Sequence, residues 1–386
     1  MSTFSGYERA DGSVGIRNYL AIIPCVACAN GVVNQIAAEV KEAVPITHGY
    51  GCGTGLKDLE LTFRTLSGMG RNPNVGAALI IGLGCEVVNA DNLATTIAER
   101  GKAVERLLIQ ESGGSQKTAE KGIEIARRML AGLGNQPRTE VPLDKLVIGL
   151  ECGGSDAFSG VTANPCVGAV SDWLVERGCT VILSETTEMI GAAHILEQRA
   201  VNEEVRQKIA DIVSRMEKAT KDALGPLAGM VIAPGNMDGG ISTIAEKSLG
   251  CIRKGGTSSI VEVVEYAQAP TRKGLVIMDT PGYDVESITA LSAGGAQLIL
   301  FTTGRGTPAG SPISPTIKVA SNSQAYREME DDIDIDAGVI IEGNKSIAGV
   351  RDEIVQFIQR VVKGEKTKAE LNQQAVLGIL KTATSF

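Results

Sequence analysis

The chain has little of what histidine-rich metalloproteins and nucleic-acid-binding proteins require. Two histidines, His48 and His194, occur among 386 residues, so a metal site with three or more histidines from one chain is excluded. Aromatic residues make up 3% of the chain, too few for the surfaces on which single-stranded nucleic acids stack. The net charge is −8 and no block of basic residues occurs, so nucleic acid is not expected as a partner.

Long apolar runs and targeting signals are also missing. No run of about 18 apolar residues occurs, which argues against a membrane span. The first residues carry neither the basic nor the apolar region of a signal peptide, so we expect a cytoplasmic protein. The 8 cysteines are spaced too widely for a disulfide scaffold. No dinucleotide-binding or phosphate-binding glycine motif and no Gly-x-Ser-x-Gly motif is present.

Glycine is abundant, and strand-like and helix-like segments alternate along the chain. The 46 glycines indicate many tight turns or loops that wrap a ligand. Residues 77–83 and 146–150 have the apolar pattern of buried parallel strands, and residues 115–133 that of a long amphipathic helix. The alternation predicts an α/β fold of two Rossmann-like domains with parallel sheets, with the site at the carboxyl ends of the strands.

The polar segment 134–142 is interpreted as a linker. It divides the chain into an N-terminal α/β domain, residues 1–136, and a C-terminal α/β domain, residues 137–386. Residues 350–362 and 367–380 are predicted as terminal helices.

The turn at residues 150–165 is the segment around which we interpret the rest of the chain. It follows a predicted buried strand and carries Cys152, the pair Gly153-Gly154, Asp156, Ser159 and Asn164. Glycines let the backbone approach a ligand closely, and helix N-termini at the carboxyl end of a strand present free N–H groups. A thiol, a carboxylate, hydroxyls and an amide together suit a small polyhydroxylated anion.

Cysteine recurs at the predicted ends of strands. His48 and Cys52 lie among four glycines, and Cys85 precedes Glu86. Because the carboxyl ends of parallel strands share one edge of a sheet, we expect Cys52, Cys85 and Cys152 to converge on a metal ion that keeps an open position for substrate. The alternative is that these cysteines pack behind glycine turns.

Other candidate residues have both a chemical and a structural interpretation. Cys25 and Cys28 form a Cys-x-x-Cys pair, which indicates zinc or redox chemistry, or close packing of small residues. Arg305 has the planar fork that binds a carboxylate, or forms a structural ion pair. Lys247 is a base, an anion contact or an ordinary lysine of a helix face. Asp279 follows a predicted strand and is the remaining candidate.

Taken in order, the motifs resemble those of the altronate/galactarate dehydratase family, nearly end to end from Gly6 to about Asp336. The matching segments are Gly6-Tyr-Glu-Arg-Ala-Asp-Gly12, His48-Gly-Tyr-Gly-Cys-Gly53, Gly82-Leu-Gly-Cys-Glu86, the turn at 152–165, Pro234-Gly-Asn-Met-Asp-Gly-Gly240, Glu246-Lys-Ser-Leu-Gly250, Met278-Asp-Thr-Pro-Gly-Tyr-Asp284 and Phe301-Thr-Thr-Gly-Arg-Gly306.

The resemblance implies a hydro-lyase that removes water from a sugar acid such as altronate or galactarate, by abstraction of the α-proton and metal-assisted loss of the β-hydroxyl. It implies Fe²⁺ as cofactor; the alternatives are another divalent metal such as Mn²⁺, or a [4Fe–4S] cluster on Cys52, Cys85 and Cys152. The family also includes the large subunit of a (2R)-sulfolactate sulfo-lyase, which releases sulfite. A non-catalytic binding protein on the same fold is the third alternative.

Two departures from the family pattern matter. Family enzymes often carry an N-terminal SAF domain, and this sequence resembles the large-subunit form, so we expect a separate small SAF-domain subunit and an oligomer. Arg71 stands before Asn-Pro where sugar-acid dehydratases commonly have histidine. If that position lies near the site, a different leaving group follows.

The resemblance also suggests roles for particular residues. The expected metal ligands are Cys52, Cys85, Glu86 and Cys152. The expected substrate-binding residues are Gln110, Asp156, Ser159, Asn164 and Asn236, and Glu185 also matches a family motif. The expected catalytic residues are His48, Lys247, Asp279 and Arg305, with His48 and Lys247 as candidates for the base.

Overall fold

The computed structural model describes residues 2–230 and 234–386, and strands and helices alternate along them. The strands are β1 Thr3–Glu8, β2 Val14–Gly15, β3 Tyr19–Pro24, β4 Ala43–Pro45, β5 Val75–Gly82, β6 Ala103–Leu108, β7 Thr139–Pro142, β8 Val147–Cys152, β9 Thr180–Leu183, β10 Ile260–Val264, β11 Gly274–Met278, β12 Leu298–Thr303, β13 Thr316–Ala320 and β14 Ile335–Asp336.

The α-helices are α1 Asn30–Glu39, α2 Leu56–Arg71, α3 Ala90–Ala98, α4 Ile109–Ser112, α5 Ser115–Gly134, α6 Ala163–Val175, α7 Ala193–Glu197, α8 Glu203–Leu224, α9 Pro234–Asp238, α10 Ile244–Cys251, α11 Asp284–Ala293, α12 Ser323–Glu328, α13 Ile347–Val362 and α14 Lys368–Leu371. Short 3-10 helices include Ala27–Ala29 and Thr186–Met189.

The first sheet has four parallel strands in the order β4-β3-β5-β6. Successive residues of β3 face opposite sides. Leu20 and Ile22 pack in one core with α1 and α5, whereas Ala21 and Ile23 pack in another with α2 and α3. Helices on both faces explain why the central strands β3 and β5 are apolar along most of their length. The strand order reverses between β3 and β5, which opens a crevice at their carboxyl ends.

The second sheet has seven parallel strands in the order β10-β11-β9-β8-β12-β13-β14. Its order reverses between β8 and β12. Leu291 of α11 and Leu66 of α2 belong to one buried cluster with residues of both sheets. A side chain at Gly68 of α2 would meet the carbonyl oxygen of Ala293 at the end of α11. These two helices therefore pack between the sheets and join the two cores. The predicted α/β class with parallel sheets is confirmed.

The segment predicted as a linker is partly a strand, so that interpretation is wrong for residues 139–142. Strand β7 pairs antiparallel with β1, which also pairs with β2. The backbone N–H and C=O groups of this segment are thereby satisfied by the opening segment of the chain. The predicted domain boundary at residue 136 falls between α5 and β7 and stays a prediction.

The predicted last helix is also wrong for most of its length. Helix α14 ends at Leu371, and the following residues bond to elements of both sheets instead. The Tyr266 hydroxyl donates to the Gly378 carbonyl oxygen, and Asp58 of α2 accepts hydrogen bonds from the backbone and hydroxyl of Thr382. Tertiary contacts therefore override the local helix pattern here. In the part of the chain that the structure describes, no helix has the length and apolarity that crossing a membrane needs.

Candidate active site

The turn after β8 lies where the order of the second sheet reverses. The Gly153 N–H donates to the Thr302 carbonyl oxygen of β12 at 3.0 Å, and the Gly154 carbonyl oxygen accepts from the Gly304 N–H at 2.7 Å. The turn is thus fastened to the neighbouring strand. Ligands of open α/β sheets bind at such a reversal, beyond the carboxyl ends of the strands. Cys152 is the last residue of β8 and is buried.

Two buried thiols and a buried carboxylate meet at this point. The Cys152 Sγ lies 2.9 Å from Oε2 of Glu188, and the Cys251 Sγ lies 2.6 Å from the same oxygen. The two sulfurs are 3.5 Å apart. Cys152 ends β8, Glu188 lies in the 3-10 turn after β9, and Cys251 ends α10. Burial, and then the neighbouring Cys251 thiol, raises the pKa of the Cys152 thiol well above its usual value.

Lys247 neutralises the Glu188 carboxylate. Their ammonium and carboxylate groups form an ion pair with side chains 9% and 4% exposed. Burial alone would raise the pKa of Glu188, but the positive charges of Lys247 and Lys254 outweigh it and lower that pKa. Burial likewise opposes the charge of Lys247, and Glu188 with the two thiols raises its pKa overall. Both groups are therefore charged at neutral pH.

A second buried ion pair, Lys254–Glu185, holds the end of β8 through a hydrogen bond to the Cys152 backbone. The Lys254 Nζ lies 2.8 Å from Oε2 of Glu185, and both side chains are 1% exposed. The same Glu185 oxygen accepts the backbone N–H of Cys152 at 2.9 Å. Glu185 has φ 70° and ψ 63°, the left-handed conformation that costs a non-glycine residue about 1–3 kcal/mol. This backbone conformation places the carboxylate under Cys152.

Glu151 adds a third buried carboxyl group next to the two ion pairs. It is completely buried, and burial, followed by the negative charge of Glu185, raises its pKa well above the usual value. Its Oε2 accepts hydrogen bonds from the hydroxyls of Ser184 at 3.1 Å and Ser287 at 2.6 Å, while its Oε1 has no partner. A raised pKa favours the neutral form of this group, and that form adds no negative charge behind the thiols.

A cavity of about 740 Å³ opens onto this cluster. Glu188, Lys247, Asn236 and Asp284 line it, together with Gly153. Asp284 begins α11, and a side chain at Gly153 would lie 3.2 Å from its Oδ2. Burial, and then the charges of Glu185 and Glu188, raises the pKa of Asp284 to about 7. A carboxyl group with that pKa takes up and releases protons at neutral pH.

The predicted convergence of cysteines is only partly right. Cys152 does lie in a thiol cluster, but its partners are Cys251 and Glu188 rather than Cys52 and Cys85, which are exposed. The two exposed cysteines follow strands of the first sheet, and each sheet has its own carboxyl edge. Glu86 closes its own turn by accepting the backbone N–H groups of residues 83–85. The roles of these residues as metal ligands stay predictions.

Sequence reasoning missed Glu188, Cys251 and Asp284. Glu188 and Cys251 do not directly follow strands, so a search of strand ends does not find them. Asp284 lies in a matching motif, Met278-Asp-Thr-Pro-Gly-Tyr-Asp284, of which Asp279 was the predicted site residue. The Glu-Lys-Ser segment of α10, with a cysteine four residues after Lys247, was the available signal for Cys251.

Other predicted residues make bonds that hold loops. Both ring nitrogens of His48 are engaged: Nε2 lies 2.8 Å from the Pro24 carbonyl oxygen, and Nδ1 accepts the Tyr50 N–H at 3.1 Å. Asp279 pairs with Arg215 and accepts the Thr186 hydroxyl at 2.8 Å. Burial raises the pKa of Asp279, and Arg215 opposes that shift.

The polar residues of the 150–165 turn mostly bond to one another. Oδ1 of Asp156 accepts from the Ser159 hydroxyl at 2.7 Å and from the Ser321 hydroxyl at 2.6 Å. The Asn164 Oδ1 accepts the Thr302 hydroxyl at 2.7 Å. Asn236 both lines the 740 Å³ cavity and accepts the Ser155 N–H at 2.7 Å.

The remaining predicted residues are not among those that line the 740 Å³ cavity, although Arg305 packs against Gly154 of its wall. Arg305 is exposed and lines a neighbouring cavity of about 470 Å³ with Asp156. Gln110 is exposed beside Gly84, at the edge of the first sheet. Arg71 ends α2 and lines a third cavity, with Asn72 and Pro73. Because Arg71 does not line the cavity at Cys152, its departure from the family pattern says nothing about a leaving group there.

The donor set at Cys152, Glu188 and Cys251 fits a metal ion. One ligand atom from each residue lies within 4.8 Å of the others. Two sulfurs held by one ion at about 2.3 Å are at most about 4.6 Å apart, and the observed 3.5 Å satisfies that limit. These residues therefore form a candidate metal site on the wall of the cavity, with the cavity side left for substrate.

Comparisons with known protein families define the class. Residues 143–385 match the model described as D-galactarate/Altronate dehydratase, C-terminal. Residues 6–134 match the one described as D-galactarate dehydratase/Altronate hydrolase, second domain. With a sheet-edge cavity that carries a candidate metal site, these matches identify the chain as an enzyme of the hydro-lyase class.

Individual relatives narrow the class to a family. Altronate dehydratase of Bacillus subtilis is 37% identical over 394 residues, which cover 100% of this chain and 78% of that protein. Galactarate dehydratase (L-threo-forming) of Escherichia coli is 38% identical over 94% of this chain and 73% of that protein. The beta subunit of (2R)-sulfolactate sulfo-lyase of Chromohalobacter salexigens is 33% identical over 95% of this chain and 94% of that subunit. The chain belongs to the D-galactarate/altronate dehydratase family.

Proposed function

We propose that the protein removes water from a sugar acid such as altronate or galactarate and forms a 2-keto-3-deoxy acid. The observation that carries this proposal is the cavity whose wall combines a candidate metal site with the charged pair Lys247–Glu188 and with Asp284. Relatives named altronate dehydratase and galactarate dehydratase support the substrate class.

The ligands favour Fe²⁺ over Mn²⁺ in this site. Two thiols and one carboxylate are the donors, and thiolates prefer iron or zinc, whereas Mn²⁺ prefers oxygen ligands. When bound, such an ion supplies Lewis-acid polarisation of the substrate's carboxylate or leaving hydroxyl.

Asp284 is the base in this proposal. Its pKa of about 7 leaves a useful fraction of carboxylate at neutral pH, and it lies beside Gly153 on the cavity wall. The carboxylate takes the proton from the carbon next to the substrate's carboxylate. The electron pair of that C–H bond forms the enediolate and then expels the hydroxyl of the next carbon, which leaves as water with the proton from Asp284. The enol that remains becomes the 2-keto-3-deoxy acid when its C3 takes up a proton and its C2 hydroxyl releases one to water.

Lys247 and Asn236 hold the substrate in this proposal. The Lys247 ammonium is positively charged at neutral pH and is placed to stabilise the negative charge of the enediolate. Because it remains protonated, it is a poor base. His48 is an equally poor base, since both of its ring nitrogens are engaged by the backbone of Pro24 and Tyr50 and burial lowers its pKa.

Loss of sulfite from sulfolactate is the second candidate reaction. The observation that favours it is the alignment with the sulfo-lyase beta subunit, which covers 94% of that protein. The same base would serve, since only the group on the neighbouring carbon differs. A separate small SAF-domain subunit, an oligomer and a cytoplasmic location remain predictions of the sequence, and size-exclusion chromatography with light scattering tests the oligomer.

The deciding experiment incubates anaerobically purified protein and Fe²⁺ with altronate, galactarate and sulfolactate in parallel. We expect a 2-keto-3-deoxy acid from a sugar acid, and loss of activity in Cys152→Ala and Cys251→Ala. Cys179→Ala, a buried cysteine outside the cluster, is the matched control. Sulfite from sulfolactate with no product from sugar acids would replace the dehydratase proposal by the sulfo-lyase one. Full activity in both Cys152→Ala and Cys251→Ala would show that the reaction does not need the candidate metal site.

A further inference from the structure

Three exposed cysteines lie together at the edge of the first sheet. All 8 cysteines lie in the described part of the chain, and Cys28, Cys52 and Cys85 are exposed whereas the others are buried. Cys28 follows β3, Cys52 follows β4 and Cys85 follows β5. The strand order reverses between β3 and β5, so the loops of Cys28 and Cys85 flank the crevice in which an open α/β sheet binds its ligand.

Backbone hydrogen bonds join the three loops. The Ala27 N–H donates to the Tyr50 carbonyl oxygen at 2.8 Å, next to Cys28 in the chain. The Gly51 carbonyl oxygen, next to Cys52, accepts the Val87 N–H at 3.1 Å. A side chain at Gly51 would collide with the carbonyl oxygen of Cys25, so the loops also touch directly. The three thiols are therefore carried by one interlocked group of turns.

His48 fixes the middle loop to the first. Its Nε2 donates to the Pro24 carbonyl oxygen at the end of β3, and its Nδ1 accepts the Tyr50 N–H. The Asn30 side-chain amide donates to the His48 carbonyl oxygen at 2.8 Å. Such cross-links restrain the position of Cys52 relative to Cys28. His48 is thus a positioning residue for these loops.

Helix α2, of 16 residues, begins at this edge after Cys52 and has no side-chain hydrogen bond at its N-cap, Gly55. By contrast, Asn202 and Ser346 cap α8 and α13 through their side chains. Free N–H groups at a helix N-terminus favour negative charge, and thiolates carry such charge.

We propose that Cys28, Cys52 and Cys85 hold a [4Fe–4S] cluster whose fourth iron lacks a cysteine ligand. Among the described residues, these three thiols do not form a group with all ligand atoms within 4.8 Å. One ion at about 2.3 Å from each sulfur requires separations of at most about 4.6 Å, so a single ion does not fit without movement of the loops. A cluster uses a different iron for each cysteine and spans a wider triangle.

The cluster site is separate from the site of the proposed function. Cys152, Glu188 and Cys251 belong to the second sheet and are buried, whereas the three cluster ligands belong to the first sheet and are exposed. The open iron would be available to an oxygen atom of a hydroxy acid or of water.

Reconstitution tests this inference directly. Anaerobically purified protein is incubated with ferric iron, sulfide and dithiothreitol, in which the dithiol reduces half of the iron. We expect about four acid-labile sulfides per chain and visible charge-transfer absorption. Cys28→Ser, Cys52→Ser and Cys85→Ser should each lose most of the sulfide. Cys25→Ala, from the same edge but buried, and Cys152→Ala, from the other metal site, should retain it.

Sulfide distinguishes the two sites, because iron bound by Cys152, Glu188 and Cys251 carries none. If the reconstituted wild-type protein contains no more sulfide than a blank, the cluster proposal is wrong. It is also wrong if all three serine variants retain the sulfide. One iron or zinc per chain, lost together with the three thiols and without sulfide, also overturns it in favour of a single ion. Mapping the alkylated cysteines of the wild-type protein needs no variant: the cluster should protect Cys28, Cys52 and Cys85, and unchanged alkylation contradicts it.

Discussion

The protonation state of Asp284 should set the pH dependence of the reaction. As a base it acts in the ionised form, so kcat/KM should fall as pH decreases through about 7, the pKa of this carboxyl group. Asp284→Asn keeps the shape and removes the base, and we expect kcat to fall by about 10²–10⁴-fold with loss of that limb of the profile. Initial rates across the pH range measure both.

Glu286→Gln is the matched control for Asp284. Glu286 belongs to the same helix, and burial also raises its pKa, but it is not among the residues that line the cavity. We expect this variant to keep both kcat and the acid limb. An Asp284→Asn enzyme with wild-type kcat would assign the base to another residue.

The pair Lys254–Glu185 gives a second prediction at the residue scale. Lys254→Met leaves the buried Glu185 carboxylate without its partner and should lower the free energy of unfolding by about 3–5 kcal/mol. Burial already raises the pKa of Glu185, opposed chiefly by Lys254, so the variant's folded-state pKa rises further above the unfolded value. A raised carboxyl pKa means that stability falls as pH rises, so the loss should be larger at about pH 8 than at about pH 5.

Urea unfolding of the metal-free proteins at both pH values measures this difference. The double variant Glu185→Gln with Lys254→Met removes the buried charge and should recover part of the loss. An equal loss at both pH values would mean that packing, rather than the unpaired carboxylate, causes the destabilisation.

At the scale of elements, the loop after β4 depends on its glycines to different extents. Gly51 has φ 107°, and a side chain there would collide with the Cys25 carbonyl oxygen, whereas a side chain at Gly49 would meet nothing within 4 Å. We therefore expect Gly51→Ala to lower the free energy of unfolding by more than about 1 kcal/mol and Gly49→Ala to change it little. Chemical denaturation of the two variants makes the comparison. Equal stabilities would show that the loop shifts at no cost.

Strand ends were the elements that the sequence predicted well. A buried parallel strand is a continuous apolar run, and the polar residue at its end must lie at the sheet edge, so Cys152 was predicted at that edge, and it does end β8. Glu188 and Cys251 were not, because a 3-10 turn and a helix end have no comparable pattern. Residues 367–380 were predicted as helix because their apolar spacing is helical, yet the Gly378 and Leu380 N–H groups donate to the hydroxyls of Thr289 and Tyr266 instead of to helix carbonyls.

At the scale of the whole molecule, the rule that strand ends converge does not predict which strand ends meet. Two parallel sheets give two carboxyl edges, and sequence patterns do not say to which edge a given cysteine belongs. The strand pairing assigns Cys52 and Cys85 to the first sheet and Cys152 to the second. Helices α2 and α11, packed between the sheets, join the cores, so the two edges belong to one connected structure although they are built from separate strands.

Binding of Fe²⁺ at the buried site should stabilise the whole molecule, because an ion that binds the folded chain shifts the unfolding equilibrium by mass action. At an ion concentration of about 100 Kd the gain is about 2.7 kcal/mol. We expect Tm to rise when Fe²⁺ is added without sulfide, a condition in which no cluster assembles on the exposed cysteines. The rise should disappear in Cys251→Ala, which removes one of the three buried ligands.

Cys179→Ala is again the control. It removes a buried thiol that donates to the Leu143 carbonyl oxygen and does not belong to the site of Cys152, Glu188 and Cys251. It lowers the starting Tm but should retain the increase with Fe²⁺. Cys28→Ser should retain it as well, because its thiol belongs to the other edge. An increase in Tm that survives Cys251→Ala but is lost in Cys28→Ser would place the stabilising ion at the first sheet. The Lewis-acid role in the proposed reaction would then belong to an ion at that sheet rather than to one held by the buried thiols.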